Sequence, residues 1–319
     1  MHNNRQLAPQ AYVFQAFGAL GGGKSHRISG PLSSHILSLV PLGSLGCTKR
    51  MLRRSDGSAF RICVCKSAHS AGKRIGVLWL HGGGYALGGP ELIGMSFARH
   101  LIQQCNCVVV SPDYTLSPIK PYPAALEDAY EALMWMKRYQ KQLGIDCDTF
   151  VVGGESAGGG LCAALCMYAR DRGENCIAFQ MPLYPMLDDR PTATNTDNPA
   201  PVWSTKSNRA AWRTYLGDRA EHAQVSVYAA PARQEDFSHL PPAISIVGNS
   251  EVFYAETREF FHALNQSHVP CALRVYKGVF HAFDMLAPYA DISKDASAYL
   301  LARYREFCER FVCFANPTN

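Results

Sequence analysis

From Thr48 onward the apolar positions of the chain fall into short runs separated by longer amphipathic stretches. Ile75–Leu80 is apolar throughout apart from a glycine, the composition of a strand buried on both faces. Ala59–Cys65, Cys107–Ser111, Phe150–Gly153, Ile177–Tyr184, Ala243–Val247 and Ala272–Tyr276 read as further strands. Between them, Gly94–Gln104, Pro123–Lys141, Gly159–Arg170, Ser204–Tyr215, Ala255–Gln266 and Ile292–Phe311 read as helices. Residues 188–202 are rich in Pro, Thr, Asn and Asp and read as a loop. The alternation predicts an α/β fold with a mostly parallel central sheet flanked by helices. Residues 1–46 differ: apolar Ala11–Leu20 is broken by Gly21-Gly22-Gly23 before a second apolar stretch, Ser33–Val40. That pattern predicts helix, break, helix, laid over the rest rather than forming its own core.

Composition narrows the function. A chain of 319 residues with 47% apolar content can bury a substantial core. The net charge of +5 comes from 31 basic and 26 acidic residues, and the basic ones are scattered, which argues against nucleic acid as a partner. No apolar run is long enough for a membrane span. The twelve cysteines include no Cys-x-x-Cys pair, so no zinc or thioredoxin-type site is expected. A chain of this size needs no disulfide, and many free thiols behind a polar N-terminus point to a reducing, cytoplasmic setting.

The chemistry centres on Gly154-Glu155-Ser156-Ala157-Gly158, which follows one apolar run and opens a small-residue helix. A serine so placed sits on a tight strand-to-helix elbow with its hydroxyl at the top of the sheet. It needs a base, and the base needs an orienting acid; in this arrangement the chain order is serine, acid, histidine. His281, just past the strand Ala272–Tyr276, is the candidate base. Glu251, just past Ala243–Val247, is the candidate acid, with Glu256 as its rival. His81-Gly82-Gly83-Gly84 follows Ile75–Leu80, and the amides of Gly83, Gly84 and Ala157 are candidate donors to an oxyanion. His81 reads as a brace for that loop. Gly18-Ala19-Leu20-Gly21-Gly22-Gly23-Lys24-Ser25 also fits a phosphate-binding loop, but Ser29-Gly30-Pro31 interrupts the helix that such a loop must open, so nucleotide binding is not expected.

Taken in order, these segments resemble the hormone-sensitive-lipase-like esterases of the α/β-hydrolase fold over roughly residues 48–315. The resemblance also rests on Ser111-Pro112-Asp113-Tyr114-Thr115-Leu116-Ser117-Pro118, Tyr122-Pro123-Ala124-Ala125-Leu126-Glu127-Asp128, Tyr184-Pro185-Met186-Leu187-Asp188, Leu240-Pro241-Pro242-Ala243 and His281-Ala282-Phe283. It implies Ser156 as nucleophile, His281 as base, Gly83, Gly84 and Ala157 as oxyanion donors, and Gly82 and Asp113 as support for the oxyanion loop. It implies a helical cap built from residues 1–46 and an insertion near 185–225, on a catalytic domain of residues 47–319. Where the family usually carries Asp followed by Pro, this chain has Glu251-Val252. The expected activity is hydrolysis of short-chain acyl esters through an acyl-enzyme, with a small ester as substrate and no cofactor or metal. An amidase or deacetylase would use the same groups, and a non-catalytic ligand-binding relative would be expected to lack the serine or the histidine. A homodimer is left open.

Overall fold

Runs of residues without polar side chains force the strands to the middle of the molecule. The computed structural model describes residues 32, 34–39, 42–67, 72–221 and 224–314. Eight strands form one sheet: β1 (Cys47–Arg53), β2 (Ala59–Lys66), β3 (Ile75–Leu80), β4 (Cys107–Pro112), β5 (Phe150–Glu155), β6 (Ile177–Leu183), β7 (Ala243–Gly248) and β8 (Cys271–Tyr276). Their spatial order is β1-β2-β4-β3-β5-β6-β7-β8. β1 and β2 run antiparallel to their neighbours, and all pairings from β4 through β8 are parallel. Every residue of β3, β4, β5 and β7 is buried, as helices on both faces require. The helices are α1 (Ala98–Gln104), α2 (Ala124–Leu143), α3 (Ala157–Asp171), α4 (Thr205–Leu216), α5 (Tyr254–Gln266), α6 (Phe283–Leu286) and α7 (Asp291–Phe311). No helix among the described residues is long and apolar enough to cross a membrane.

Most expected elements recur within a residue or two of their expected ends. The helix expected from Gly94 starts only at Ala98: Pro90–Gly94 forms a 3₁₀ turn, and the Ser96 hydroxyl accepts from the Ala98 N–H at 3.1 Å. Two features escaped the sequence pattern. β1 buries only Leu52, so it shows no apolar alternation; it is an edge strand held by its backbone ladder to β2, with Lys49, Arg50 and Arg53 marking the edge. A disulfide joins Cys47 and Cys65, although a chain of this size is expected to need none. The two face each other in the β1–β2 register, a proximity that only strand pairing reveals. The other ten cysteines are unpaired, and Cys63, Cys162 and Cys166 lie in the core as small hydrophobes. The phosphate-loop match Gly18–Ser25 and most of the expected N-terminal cap segment lie outside the described residues; a helical turn at residues 34–37 is what is seen of it.

The loop that leads from β4 to α2 is tied down by one buried carboxylate. Asp128 accepts from Arg54 Nε at 2.5 Å and Nη2 at 2.9 Å, and from the Thr115 N–H at 2.8 Å and hydroxyl at 2.7 Å. This holds the segment that carries Tyr114. Replacing Asp128 by Ala strands the Arg54 guanidinium, and urea unfolding is expected to show a loss of roughly 2–3 kcal/mol, at the low end for a buried pair because Arg54 is partly exposed. A loss under about 0.5 kcal/mol, the range of an ordinary surface substitution, would contradict this account.

Candidate active site

Strand register brings the singled-out residues together. β3 and β5 are adjacent, with Leu80 paired to Gly154, so the chain leaving β3 at His81 lies beside the chain leaving β5 at Ser156. β7 and β8 are likewise paired, Gly248 to Tyr276, so the loops carrying Glu251 and His281 emerge side by side. All four segments leave the carboxyl ends of parallel strands.

Ser156 links β5 to α3 with φ 58° and ψ −120°, a strained conformation for a residue with a side chain. Its flanking glycines are required by close backbone approach. A Cβ on Gly158 would lie 2.0 Å from the Leu80 carbonyl oxygen, and one on Gly154 would lie 2.5 Å from the same oxygen. The Ser156 hydroxyl donates to His281 Nε2 at 2.9 Å, and His281 Nδ1–H donates to Glu251 Oε2 at 2.5 Å. The other Glu251 oxygen accepts the Gly248 N–H at 2.9 Å, which fixes the carboxylate from behind. Glu251 is fully buried and His281 nearly so. Tyr184 and Phe253 meet the imidazole edge-on, at 5.1 and 5.0 Å between ring centres. The rings and the carboxylate leave the imidazole one orientation.

Glu256 lies elsewhere. Its Oε1 accepts from the N–H of Leu187 at 2.7 Å and of Asp188 at 3.3 Å, and its other oxygen has no partner among the described residues. Burial raises its pKa well above the usual carboxylate value, and its bonds to the two N–H groups brace the segment after β6.

Gly82 and Gly83 of the glycine loop line the same cavity as Ser156. Gly83 has φ 124° and Gly84 φ 60°, values that side chains rarely adopt. A Cβ on Gly83 would lie 2.2 Å from the Leu87 carbonyl oxygen, and one on Gly84 would lie 2.3 Å from the Trp203 ring. The Gly82 carbonyl is occupied by His81 Nδ1 at 2.9 Å. Burial lowers the pKa of His81, which keeps its ring neutral. That ring stacks on Tyr114 with centres 4.1 Å apart, and the Tyr114 hydroxyl donates to the His81 carbonyl at 2.8 Å.

Asp113 is not bonded to this loop. Its carboxylate accepts from Arg61 Nη2 at 2.9 Å and from the Ser34 hydroxyl at 3.0 Å, and Arg61 also pairs with Glu91. The loop presents a carbonyl here, which calls for a donor, and a carboxylate can only accept. The brace is therefore Tyr114, which the sequence offered inside Asp113-Tyr114-Thr115 but gave no reason to single out.

Ser156 and His281 both line a small cavity of about 80 Å³. Leu87, Leu92, Val202, Trp203, Met285 and Leu286 give it an apolar wall. Val202 and Trp203 arrive from the long connection between β6 and β7, which also holds α4. Tyr215 and Trp212 of α4 pack on Tyr85, just after the glycine loop, and so hold this connection over the site.

The chain is similar to known hydrolases. A family model described as the alpha/beta hydrolase fold matches residues 77–285. Esterase LipI of Mycobacterium tuberculosis is 32% identical over 209 residues, covering 65% of this chain and 65% of LipI. An arylesterase of Saccharolobus solfataricus is 29% identical over 208 residues, covering 65% of this chain and 67% of the relative. Among solved structures, a bacterial heroin esterase superposes with a TM-score of 0.81 at 28% identity, over 95% of this chain and 98% of that one.

Tyr114→Phe removes the donor to the His81 carbonyl and leaves that oxygen buried and unpaired. Urea unfolding is expected to show a loss of about 1–3 kcal/mol. Unchanged stability would remove Tyr114 from its place as the brace.

Proposed function

The chain belongs to the α/β-hydrolase family, on the hormone-sensitive-lipase-like side that its motifs resemble, and we propose that it acts as a serine carboxylesterase through Ser156, His281 and Glu251. The observation that carries this reading is the unbroken hydrogen-bond chain from the Ser156 hydroxyl through both nitrogens of His281 to Glu251. A serine hydroxyl becomes a nucleophile when a base takes its proton as the bond to carbon forms. His281 Nε2 is placed to take it, and Glu251 stabilises the imidazolium that results. The amides of Gly83, Gly84 and Ala157 then receive the charge that develops on the carbonyl oxygen; each such donor is typically worth about 10²–10³ in rate. His281 returns the proton to the leaving alcohol, and water repeats the cycle on the acyl-enzyme. Glu251 is one methylene longer than Asp, and the Gly248 N–H holds its second oxygen.

The small apolar cavity supports short acyl chains, with Trp203, Tyr184 and Leu87 setting its width. The connection between β6 and β7, near residues 185–225, serves as the cap insertion on a catalytic domain of residues 47–319. A cytoplasmic setting is supported by the ten unpaired cysteines, while the Cys47–Cys65 bridge is the feature an oxidising compartment would favour.

Ser156→Ala is expected to lower kcat on p-nitrophenyl butyrate by as much as about 10⁶-fold. Turnover near the parental rate in the purified variant would refute the assignment. Glu251→Gln is expected to cost about 10³–10⁴-fold in kcat, because the amide cannot stabilise the imidazolium. Glu256→Gln keeps an oxygen of the same shape to accept the Leu187 N–H and should stay within about threefold of the parent. The reverse ranking would move the acid from Glu251 to Glu256.

A further inference from the structure

The connection between β6 and β7 makes one rare turn where it meets the catalytic cavity. The Trp203 N–H donates to the Pro201 carbonyl at 2.9 Å, and Val202 between them has φ 73°. That is a three-residue turn of the uncommon, strained hand, and a β-branched residue is poorly suited to it. Neighbouring bonds hold the strain in place. The Thr205 N–H donates to the Asn198 carbonyl at 2.9 Å, the Thr205 hydroxyl accepts the Asn198 N–H at 2.7 Å, and the Asn198 side chain accepts the Ala200 N–H at 2.9 Å. Beyond the turn, Trp203 Nε1–H donates to Asn208 Oδ1 at 3.4 Å. Val202 packs on Met285 and Leu286, and Val202 and Trp203 both line the cavity that Ser156 and His281 line. The Trp203 ring lies so close to Gly84 that a Cβ there would fall 2.3 Å from its Cη2. The ring centre is 6.5 Å from that of His281. At about 80 Å³ the cavity is far below the roughly 300–1,000 Å³ of ordinary ligand pockets.

We propose that Trp203 is a specificity-determining residue and that the strained turn at Val202 aims it: the ring, held against Gly84, ends the acyl pocket and restricts the enzyme to esters of short acyl groups. The proposal rests on the esterase reading of the site. In that reading the acyl carbon is bonded to Ser156 and its oxygen faces the glycine-loop amides, so a wall laid on Gly84 meets the acyl chain. The alcohol leaves on the side of His281, which protonates it. Glycine would adopt the φ of residue 202 without strain. Valine leaves the chain fewer alternatives than glycine would, and its methyl groups add to the cavity wall. The turn thus gives up stability to keep the indole in one place.

The test compares kcat/KM on p-nitrophenyl butyrate, p-nitrophenyl octanoate and octyl acetate for the wild type, Trp203→Ala, Val202→Gly and Val202→Ala, with the Tm of each. Trp203→Ala is expected to narrow the preference for butyrate over octanoate by more than about fivefold. A smaller change, or a gain confined to octyl acetate, would overturn the proposal. The preference is expected to fall further in Val202→Gly than in Val202→Ala, because both lose the valine side chain and only glycine relaxes the turn. A preference in Val202→Gly no lower than in Val202→Ala would overturn the aiming role. The Tm comparison needs no turnover. At an ordinary φ alanine is the more stable of the two, and at a positive φ glycine is. Val202→Gly is therefore expected to melt above Val202→Ala, and equal values or the reverse order would overturn the strained turn. A wild type that hydrolyses none of these esters would instead refute the esterase reading, and the order of Tm values would still decide the turn. Should Trp203→Ala fail to fold, Trp203→Leu shortens the wall and is expected to narrow the preference in the same direction; an unmoved preference there would count against the proposal equally.

Discussion

The in-register pairing of parallel strands is the constraint on which the site depends. Each candidate group lies on a loop leaving the carboxyl end of a strand, and neighbouring strands end level with one another. Leu80 opposite Gly154 places the glycine loop against the serine elbow, and Gly248 opposite Tyr276 places the glutamate loop against the histidine loop. β6 stands between the two pairs and contributes Tyr184, whose ring meets the imidazole edge-on. A shift of one residue in β5 or β8 would turn side chains to the opposite face and separate the groups. The buried apolar runs that hold the sheet in register therefore also set the hydroxyl–imidazole distance.

Environment then gives chemically similar acids different duties. Glu251 accepts one N–H from the backbone and one from the imidazole. Glu256, a few residues on, accepts only backbone N–H groups, and burial pushes its pKa up. Asp113 is taken up by Arg61 and Ser34 on the β2 side of the sheet. Asp128 anchors the loop that carries Tyr114. Residue type alone distinguishes none of these; the donors that surround each carboxyl do.

Much of the fold could be read from the chain because its signals are local. A strand without polar residues, such as Ile75–Leu80, has one stable place, and glycines around Ser156 reflect contacts with a neighbouring strand. The placing of Glu251 and His281 after consecutive strands was legible for the same reason. Features that depend on strand pairing were not. β1 has too little burial to mark its sequence, and the Cys47–Cys65 bridge exists because β1 and β2 pair in that register. The Tyr114 brace depends on two loops, from β3 and β4, meeting above the sheet, and nothing in the local sequence distinguishes its hydroxyl from that of any other core tyrosine.

The central claim is that this geometry makes one hydroxyl in the chain a nucleophile. It is tested most directly by intact-mass analysis and peptide mapping of the folded protein after exposure to a p-nitrophenyl alkylphosphonate. The account predicts a single adduct per chain, on the peptide that contains Ser156. A folded protein that takes up no phosphonate, or takes it up at another residue while Ser156 stays unmodified, would contradict it.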